Sequence, residues 1–480
     1  MIPQQISFGG FSGCSARRPT SRRRKTSIVR PAFTFSADHN LSVSRKVNPD
    51  IPTLSPLLGF TFDAELQPLA AIAGRPLASL EVDWMHLALV VYAADRLAPR
   101  FPYGQNSRCF WRRKLSVSLP VVNLERFAAL QTTIEEILGF LTEDCWSIHF
   151  RPGRERLEVE NQQIIRTTSS AAKWACLFSG GLDSLAGSIE FLSKGSPLLI
   201  SGVTHTRLGA GQQELVSNLR KEFRTLVNHV AIRYGFDSNP FEIGNEPSQR
   251  TRGFLHVCLG VVTAFVAGLR ELHMFENGFG ALNLACDSSQ IGSQNTRSTH
   301  PAFLKRMEGF ASQVSGGSFS IVNPYRFSTK GEVLRADWAT AHSQLLQKTF
   351  SCDRFPNYHE SVSQCGHCPS CLIRRLAFFS AGLPDNPATY ARDVLKGTGR
   401  IRDGHWHAFL KLNFQAEHLR EKLSSVEPWP GLRAKWPALM EVERLEADYP
   451  PQVISLLHRH IAEWSAFSAE IQRNFWPLAA

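Results

Sequence analysis

Apolar and polar positions along the chain change period in a regular way. Trp174-Ala-Cys-Leu-Phe178 is a short continuous apolar run, the pattern of a strand buried on both faces. It leads into Ser179-Gly-Gly-Leu-Asp-Ser184. Beyond that turn, Leu185, Ile189 and Leu192 fall at helical spacing. The alternation then repeats. Residues 198–203 predict a second strand and 209–226 a helix. Residues 230–232 predict a third strand, with a connecting one at 241–243. A long apolar helix opens at Gln249 and runs to about 272, and residues 272–275 and 321–325 predict two more strands. Strands alternating with helices predict a parallel, doubly wound α/β sheet over residues 171–385. Such sheets bind ligands at the carboxyl ends of their strands. The turns at 179–184, 204–206 and 276–278 would share that edge.

The flanks read differently. Residues 46–160 predict an N-terminal α+β domain. Ser79 caps a helix over 80–96 with Val82, Met85, Leu89 and Tyr92 on one face. Leu115, Val117 and Leu119 alternate with serines as in a strand; a helix follows over 124–141 and a strand over 146–150. His86 and His149 read as packing or surface histidines, and Asp95-Arg96 and Arg112-Arg113-Lys114 as solvated charges. Residues 151–170 read as a polar linker. Residues 386–480 predict a C-terminal helical domain: Val453, Leu457, Ile461, Trp464, Phe467 and Ile471 repeat in steps of three and four, as a core stripe or a partner interface.

Composition narrows the class. At 480 residues, 43% hydrophobic and 20% charged, the chain predicts two to four soluble domains. The apolar stretch 257–269 is too short and Gly-broken to span a membrane. The net charge of +11 is uneven: the first 50 residues carry nine Lys/Arg against two Asp, which leaves +4 for the rest. Residues 1–45 therefore read as a basic, disordered tail. A phosphate- or acidic-partner-binding arm and an organellar transit peptide are the alternatives. Ten cysteines without a signal-peptide core predict a reducing cytoplasm.

The turn at 179–184 carries chemistry. The first turn of a helix offers free N–H groups and a positive dipole end, and both favour phosphate. Gly180 and Gly181 allow close backbone approach, and Ser179 and Ser184 add hydroxyl donors. Asp183 would repel phosphate, so its role is to hold Mg²⁺. No Gly-x-x-x-x-Gly-Lys-Ser/Thr run occurs. The motif instead resembles the SGGxDS signature of the PP-loop ATP pyrophosphatases, which adenylate a substrate oxygen; an ordinary Ser/Gly turn is the bland alternative. Arg250 and Arg252 oppose the dipole of the helix they open, so they face an anion or else solvent. The long polar loop 280–301 reads as a substrate flap, with Arg297 gripping a carboxylate. Lys330 at a helix start either reaches a phosphate or is an ordinary exposed charge. Cys352, Cys365, Cys368 and Cys371, three of them at x₂ spacing, fit a closed, structural Zn²⁺ site; an iron–sulfur cluster is the alternative. The other six cysteines are scattered and read as unpaired thiols.

Together the SGGLDS motif and the late block from Thr349 through Cys365-Gly-His-Cys-Pro-Ser-Cys371 and Arg374 to Asp385 resemble the 7-cyano-7-deazaguanine synthase family, QueC. Gly211-Gln212, Arg252 with Phe254-Leu255, and Lys330-Gly-Glu332 are also family-like. The resemblance covers residues 171–385. It implies Mg-ATP-dependent adenylation of a 7-deazaguanine carboxylate, then transfer to ammonia and dehydration to a nitrile. It further implies catalysis by Ser179, Asp183 and Lys330. ATP contacts would come from Ser179, Gly180, Gly181, Leu182, Asp183, Ser184, Thr204, Arg252 and Gly278. The family's Asp-Tyr-Ser-Gly-Tyr-Pro-Asp-Cys-Arg stretch is absent. Glu276, Asn277, Arg297 and His300 stand as substrate contacts in its place. The longer layout resembles the QueC-like component of bacterial Qat anti-phage cassettes, QatC. That implies a partner protein, and an acceptor that is ammonia or a protein amine. Two other readings stand beside this one. One is a PP-loop tRNA-modification enzyme whose basic tail grips RNA. The other is an ATP-sensing subunit without catalysis.

Overall fold

Ten strands join in one sheet. The computed structural model describes residues 32–38, 42–47, 57–100, 112–154, 172–224, 227–236, 246–286, 297–355, 364–395, 404 and 406–475. In chain order the strands are β1 (Ala32–Ala37), β2 (Ser42–Val47), β3 (Leu57–Ala64), β4 (Lys114–Val121), β5 (Cys145–Pro152), β6 (Trp174–Leu177), β7 (Pro197–Val203), β8 (Asn228–Phe236), β9 (Glu271–His273) and β10 (Ser320–Val322). They lie in the order β10-β9-β6-β7-β8-β3-β2-β1-β4-β5.

From β10 to β8 every neighbouring pair is parallel, as the strand–helix alternation predicts. Apolar residues in this half alternate between two cores. Ala175, Leu198 and Ile200 face one, packed beneath the helices Arg252–Val266 and Ser79–Arg96. Cys176 and Leu199 face the other, beneath the helices Leu182–Lys194 and Thr206–Phe223. A strand covered on both faces has no solvent side, hence the uninterrupted apolar runs.

The remainder corrects the predicted layout. β8 pairs antiparallel with β3, so the N-terminal α+β part extends the same sheet rather than standing apart. β3, β2 and β1 continue antiparallel, and β1, β4 and β5 run parallel. β1 and most of β2 come from the stretch read as a disordered tail, because Ala32-Phe-Thr-Phe-Ser-Ala37 buries Phe33 and Phe35 and exposes Thr34 and Ser36. Of the charges read as solvated, Arg112 and Lys114 are exposed, but Asp95, Arg96 and Arg113 are buried. Arg113 pairs with Asp95 at 2.5 Å and Asp144 at 2.6 Å, and Asp95 accepts from the Thr251 backbone and hydroxyl. Burial opposes the Asp95 charge, but the Arg113 guanidinium overrides it and holds the carboxyl below its ordinary range.

Element ends move by a few residues. The predicted helix over 124–141 splits at Leu130, and the one expected from Gln249 spans Arg252–Val266. The third strand is the nine-residue β8, while residues 241–243 lie outside the described set. No described helix is long and apolar enough to cross a membrane. The helices His407–Leu423 and Tyr449–Phe475 pack directly onto the α/β core. Leu456 and Ile461 meet Phe279 and Leu282, while Trp464 and Phe467 meet Leu372 and Leu376.

Candidate active site and cysteine centre

The turn after β6 opens the Leu182–Lys194 helix with Gly181 as its extended N-cap. The Gly181 N–H donates to the Ser179 hydroxyl at 3.2 Å, and the Ser179 and Ser184 hydroxyls sit 3.0 Å apart. The Gln212 amide reaches the Ser179 carbonyl at 3.2 Å and ties the next helix to the turn. Gly180 is obligatory here. Its φ is +85°, and a Cβ at this position would lie 2.2 Å from the Phe350 ring.

Asp183, in the first turn of this helix, is the charge centre. It is buried. Its Oδ2 accepts from Lys330 Nζ at 2.7 Å, from the Asn277 amide side chain at 2.9 Å and from the Asn277 backbone N–H at 3.2 Å. Its Oδ1 is buried with no N–H donor on it among the described residues, and the Glu276 carboxyl hydrogen-bonds the Asp183 carboxylate. Glu276 sits beside it. Burial, then the Asp183 carboxylate, pushes the Glu276 carboxyl up to about 8. For Asp183, burial opposes ionisation but the Lys330 ammonium wins and lowers its pKa; Lys330 is raised in turn. The cluster therefore holds one carboxylate, one protonated carboxyl and one ammonium at neutral pH. Two adjacent carboxyls that share a proton a cation could displace are a hard-oxygen donor set that suits Mg²⁺.

The cluster lines a cavity of about 1060 Å³ at the carboxyl ends of the strands. Leu177, Ile200 and Met274 form its apolar floor. Arg252 and His256, one helical turn apart, line it from the Arg252–Val266 helix. The Arg252 guanidinium makes no hydrogen bond or ion pair among the described residues. His256 Nε2 lies 2.7 Å from the Tyr234 hydroxyl, and burial lowers its pKa to about 3, so the ring is neutral. The His407–Leu423 helix supplies another wall through His407, Leu412 and Gln415.

Most of the residues singled out from sequence meet here: Ser179, Gly181, Leu182, Asp183, Ser184, Arg252, Glu276, Asn277 and Lys330 line the cavity. Five do not. Gly180 is covered by Phe350. Thr204 is exposed past the end of β7. Gly278 packs against the Arg326 carbonyl and donates its N–H to Ser328. Arg297 turns to the N-terminal half, bonding Glu143 at 2.6 Å and the Phe140 carbonyl at 2.8 Å. His300 caps the Pro301–Ser315 helix through Nδ1. The predicted flap is only partly a loop. Gly278–Leu282 is helical and apolar, and residues 287–296 lie outside the described set. Sequence reasoning passed over His256 and Gln415. The four-residue step from Arg252 was the one available signal for His256; nothing local marks Gln415.

The four cysteines Cys352, Cys365, Cys368 and Cys371 have their sulfurs within 4.8 Å of one another, all buried. Backbone N–H groups of Cys365, Cys368 and Cys371 point at sulfurs of the set at 3.3–3.5 Å. Four soft donors converging with N–H support are compatible with a closed zinc site. The Pro369–Ala381 helix leaves the centre with Cys368 as its cap.

Residues 279–382 match the family described as queuosine biosynthesis protein QueC. The match spans Lys330 and the cysteine centre but stops short of the 179–184 turn. The family match suggests a PP-loop, ATP-using enzyme related to queuosine biosynthesis, and the 179–184 turn agrees with the PP-loop part of that reading. A comparison with curated proteins found no match.

Proposed function

We propose that this QueC-like chain adenylates a carboxylate carried by a 7-deazaguanine, releasing pyrophosphate, and then passes the acyl group to an amine with loss of AMP. The observation that carries the reading is Asp183. It stands in the first turn of the phosphate-facing helix, with Lys330 on one oxygen and the Glu276 carboxyl as its neighbouring acid.

Each residue has a role set by its place. The Gly181 and Leu182 backbone, with the hydroxyls of Ser179 and Ser184, hold phosphate oxygens at the positive end of the helix. Asp183 and Glu276 would hold Mg²⁺, which supplies charge neutralisation on the phosphates. The Lys330 ammonium, held beside Asp183, would meet the charge that develops on the pyrophosphate. Arg252 is the unpaired cation on the opposite wall and suits the incoming carboxylate. A carboxylate oxygen then forms a bond to the α-phosphorus while the bridging bond to pyrophosphate breaks. Alignment and preorganised charge do the work.

In the second step the amine nitrogen bonds to the acyl carbon, AMP leaves with the C–O electron pair, and the nitrogen loses a proton to solvent. Ammonia and a protein amine both satisfy this chemistry. The extended layout, with its likeness to QatC, favours a partner's amine and a role in bacterial anti-phage defence. ATP–pyrophosphate exchange that depends on 7-carboxy-7-deazaguanine tests the first step; exchange absent with the substrate saturating contradicts it.

A further inference from the structure

The C-terminal helix Tyr449–Phe475 lies behind two short helices that face the cavity. One is Gly278–Leu282, whose Phe279 lines the cavity. His460 stacks on the outer face of that ring at 3.5 Å and 17°. The other is Lys330–Arg335, which starts at the lysine that holds Asp183.

Contacts with the second helix centre on its first turn. Thr329 is its N-cap and forms a capping box with Glu332: the Thr329 hydroxyl accepts from the Glu332 N–H, and the Glu332 carboxylate accepts from the Thr329 N–H. The C-terminal helix grips both members. Glu463 Oε1 accepts from the Thr329 hydroxyl at 2.8 Å and from Arg335 at 2.7 Å. Arg459 pairs with Glu332 at 2.6 Å and donates to the Phe327 carbonyl at 2.7 Å. Glu463 is 8% exposed. Its close approach is built into the sequence: a Cβ on Gly331 would lie 2.5 Å from Glu463 Oε1. A carboxylate is expensive to bury, and a surface helix needs none to pack. Here it bonds the hydroxyl of Thr329 on one side of Lys330 and lies against Gly331 on the other.

We propose that Glu463 is a positioning residue for the adenylation centre. Through Thr329 it sets the first turn of the Lys330–Arg335 helix and so places the Lys330 ammonium on Asp183. The C-terminal helix is on this account part of the reaction scaffold rather than a separate module. The kinetic part of the inference rests on the adenylation reading above; the geometric part does not.

The test compares Glu463→Ala, Glu463→Gln and Thr329→Val with the full-length wild-type chain. Two quantities are read: steady-state AMP formation, and the acetylation rate of Lys330 by acetic anhydride, followed by mass spectrometry. Glu463→Ala is expected to lower kcat by about 10–100-fold with KM for Mg-ATP little changed, the cost of a misplacement of about 1 Å. Lys330 acetylation rises in parallel as the ammonium leaves Asp183. Glu463→Gln keeps an acceptor oxygen for Thr329 and retains most of kcat. Thr329→Val reproduces the alanine phenotype from the other end of the bond and carries the test where Glu463→Ala does not fold. Wild-type Lys330 acetylation in both Glu463→Ala and Thr329→Val overturns the inference. A wild-type enzyme that forms no AMP overturns the proposed function alone, because Lys330 reactivity still reads the positioning.

Discussion

At the scale of the residue, Asp183 and Glu276 divide one task between two carboxyls. The first stays ionised against Lys330; burial and the Asp183 carboxylate push the pKa of the second up. Asp183→Asn preserves shape and removes the charge. It is expected to lower ATP–pyrophosphate exchange on the order of 10²–10³-fold, as loss of a preorganised charge-stabilising group does. Glu276 has a folded pKa of about 8, above its unfolded value near 4.5. Its stability contribution is therefore fully present below about pH 4.5 and is lost as pH rises through 8. Glu276→Gln removes that titration. Melting curves at pH 6 and pH 8.5 should show the wild type losing more stability than the variant. An equal loss in both would place Glu276 in water. Lys330 and Asp183 were each legible in sequence, one as a helix-start cation and one as the odd acid in a phosphate turn. Their pairing was not, because 147 residues separate them and only the sheet order brings the two helix starts together.

At the scale of the element, the 179–184 turn and the cysteine centre are the parts that local sequence specifies. Both are short, and their chemistry is set by residues within a few positions of one another. Phe350 links them, since it covers Gly180 and lies two residues before Cys352. Gly180→Ala is expected to cost about 1–3 kcal/mol from the left-handed backbone alone. It should also weaken ATP binding; urea unfolding and calorimetric titration check the two effects. Cys365→Ser should abolish stoichiometric zinc, read by elemental analysis, and lower the melting temperature with it. Retention of one zinc per chain in that variant would show that the metal binds elsewhere. Arg297 shows where element-level reading fails. A long polar loop containing an arginine reads as an anion grip, yet the anion is Glu143, the C-cap of the Gln131–Thr142 helix in the N-terminal half.

At the scale of the whole molecule, one sheet runs through what composition divides into modules. Strand β1 was readable from its alternation of Phe33 and Phe35 with Thr34 and Ser36, but the arginine- and serine-rich sequence around it hid the pattern. Only the antiparallel pairing of β3 with β8 shows that this strand belongs to the same sheet as the nucleotide turn. The C-terminal stripe at 453–471 was legible as a core; that the separate His407–Leu423 helix closes the cavity with His407, Leu412 and Gln415 was not, because Gln415 is held by the Leu284 carbonyl, over a hundred residues away. Removing residues 404–480 should expose Phe279, Leu282 and Leu284 and give an aggregating, inactive chain, visible by light scattering.

The central claim concerns the chemistry at Asp183. The direct measurement is AMP and pyrophosphate release from purified protein with Mg-ATP, with and without 7-carboxy-7-deazaguanine, followed by mass spectrometry of the products. The account predicts AMP that depends on the deazaguanine and an acyl product on ammonia or on a protein amine. Saturating deazaguanine with no AMP, from protein that holds its zinc and binds ATP, would contradict it.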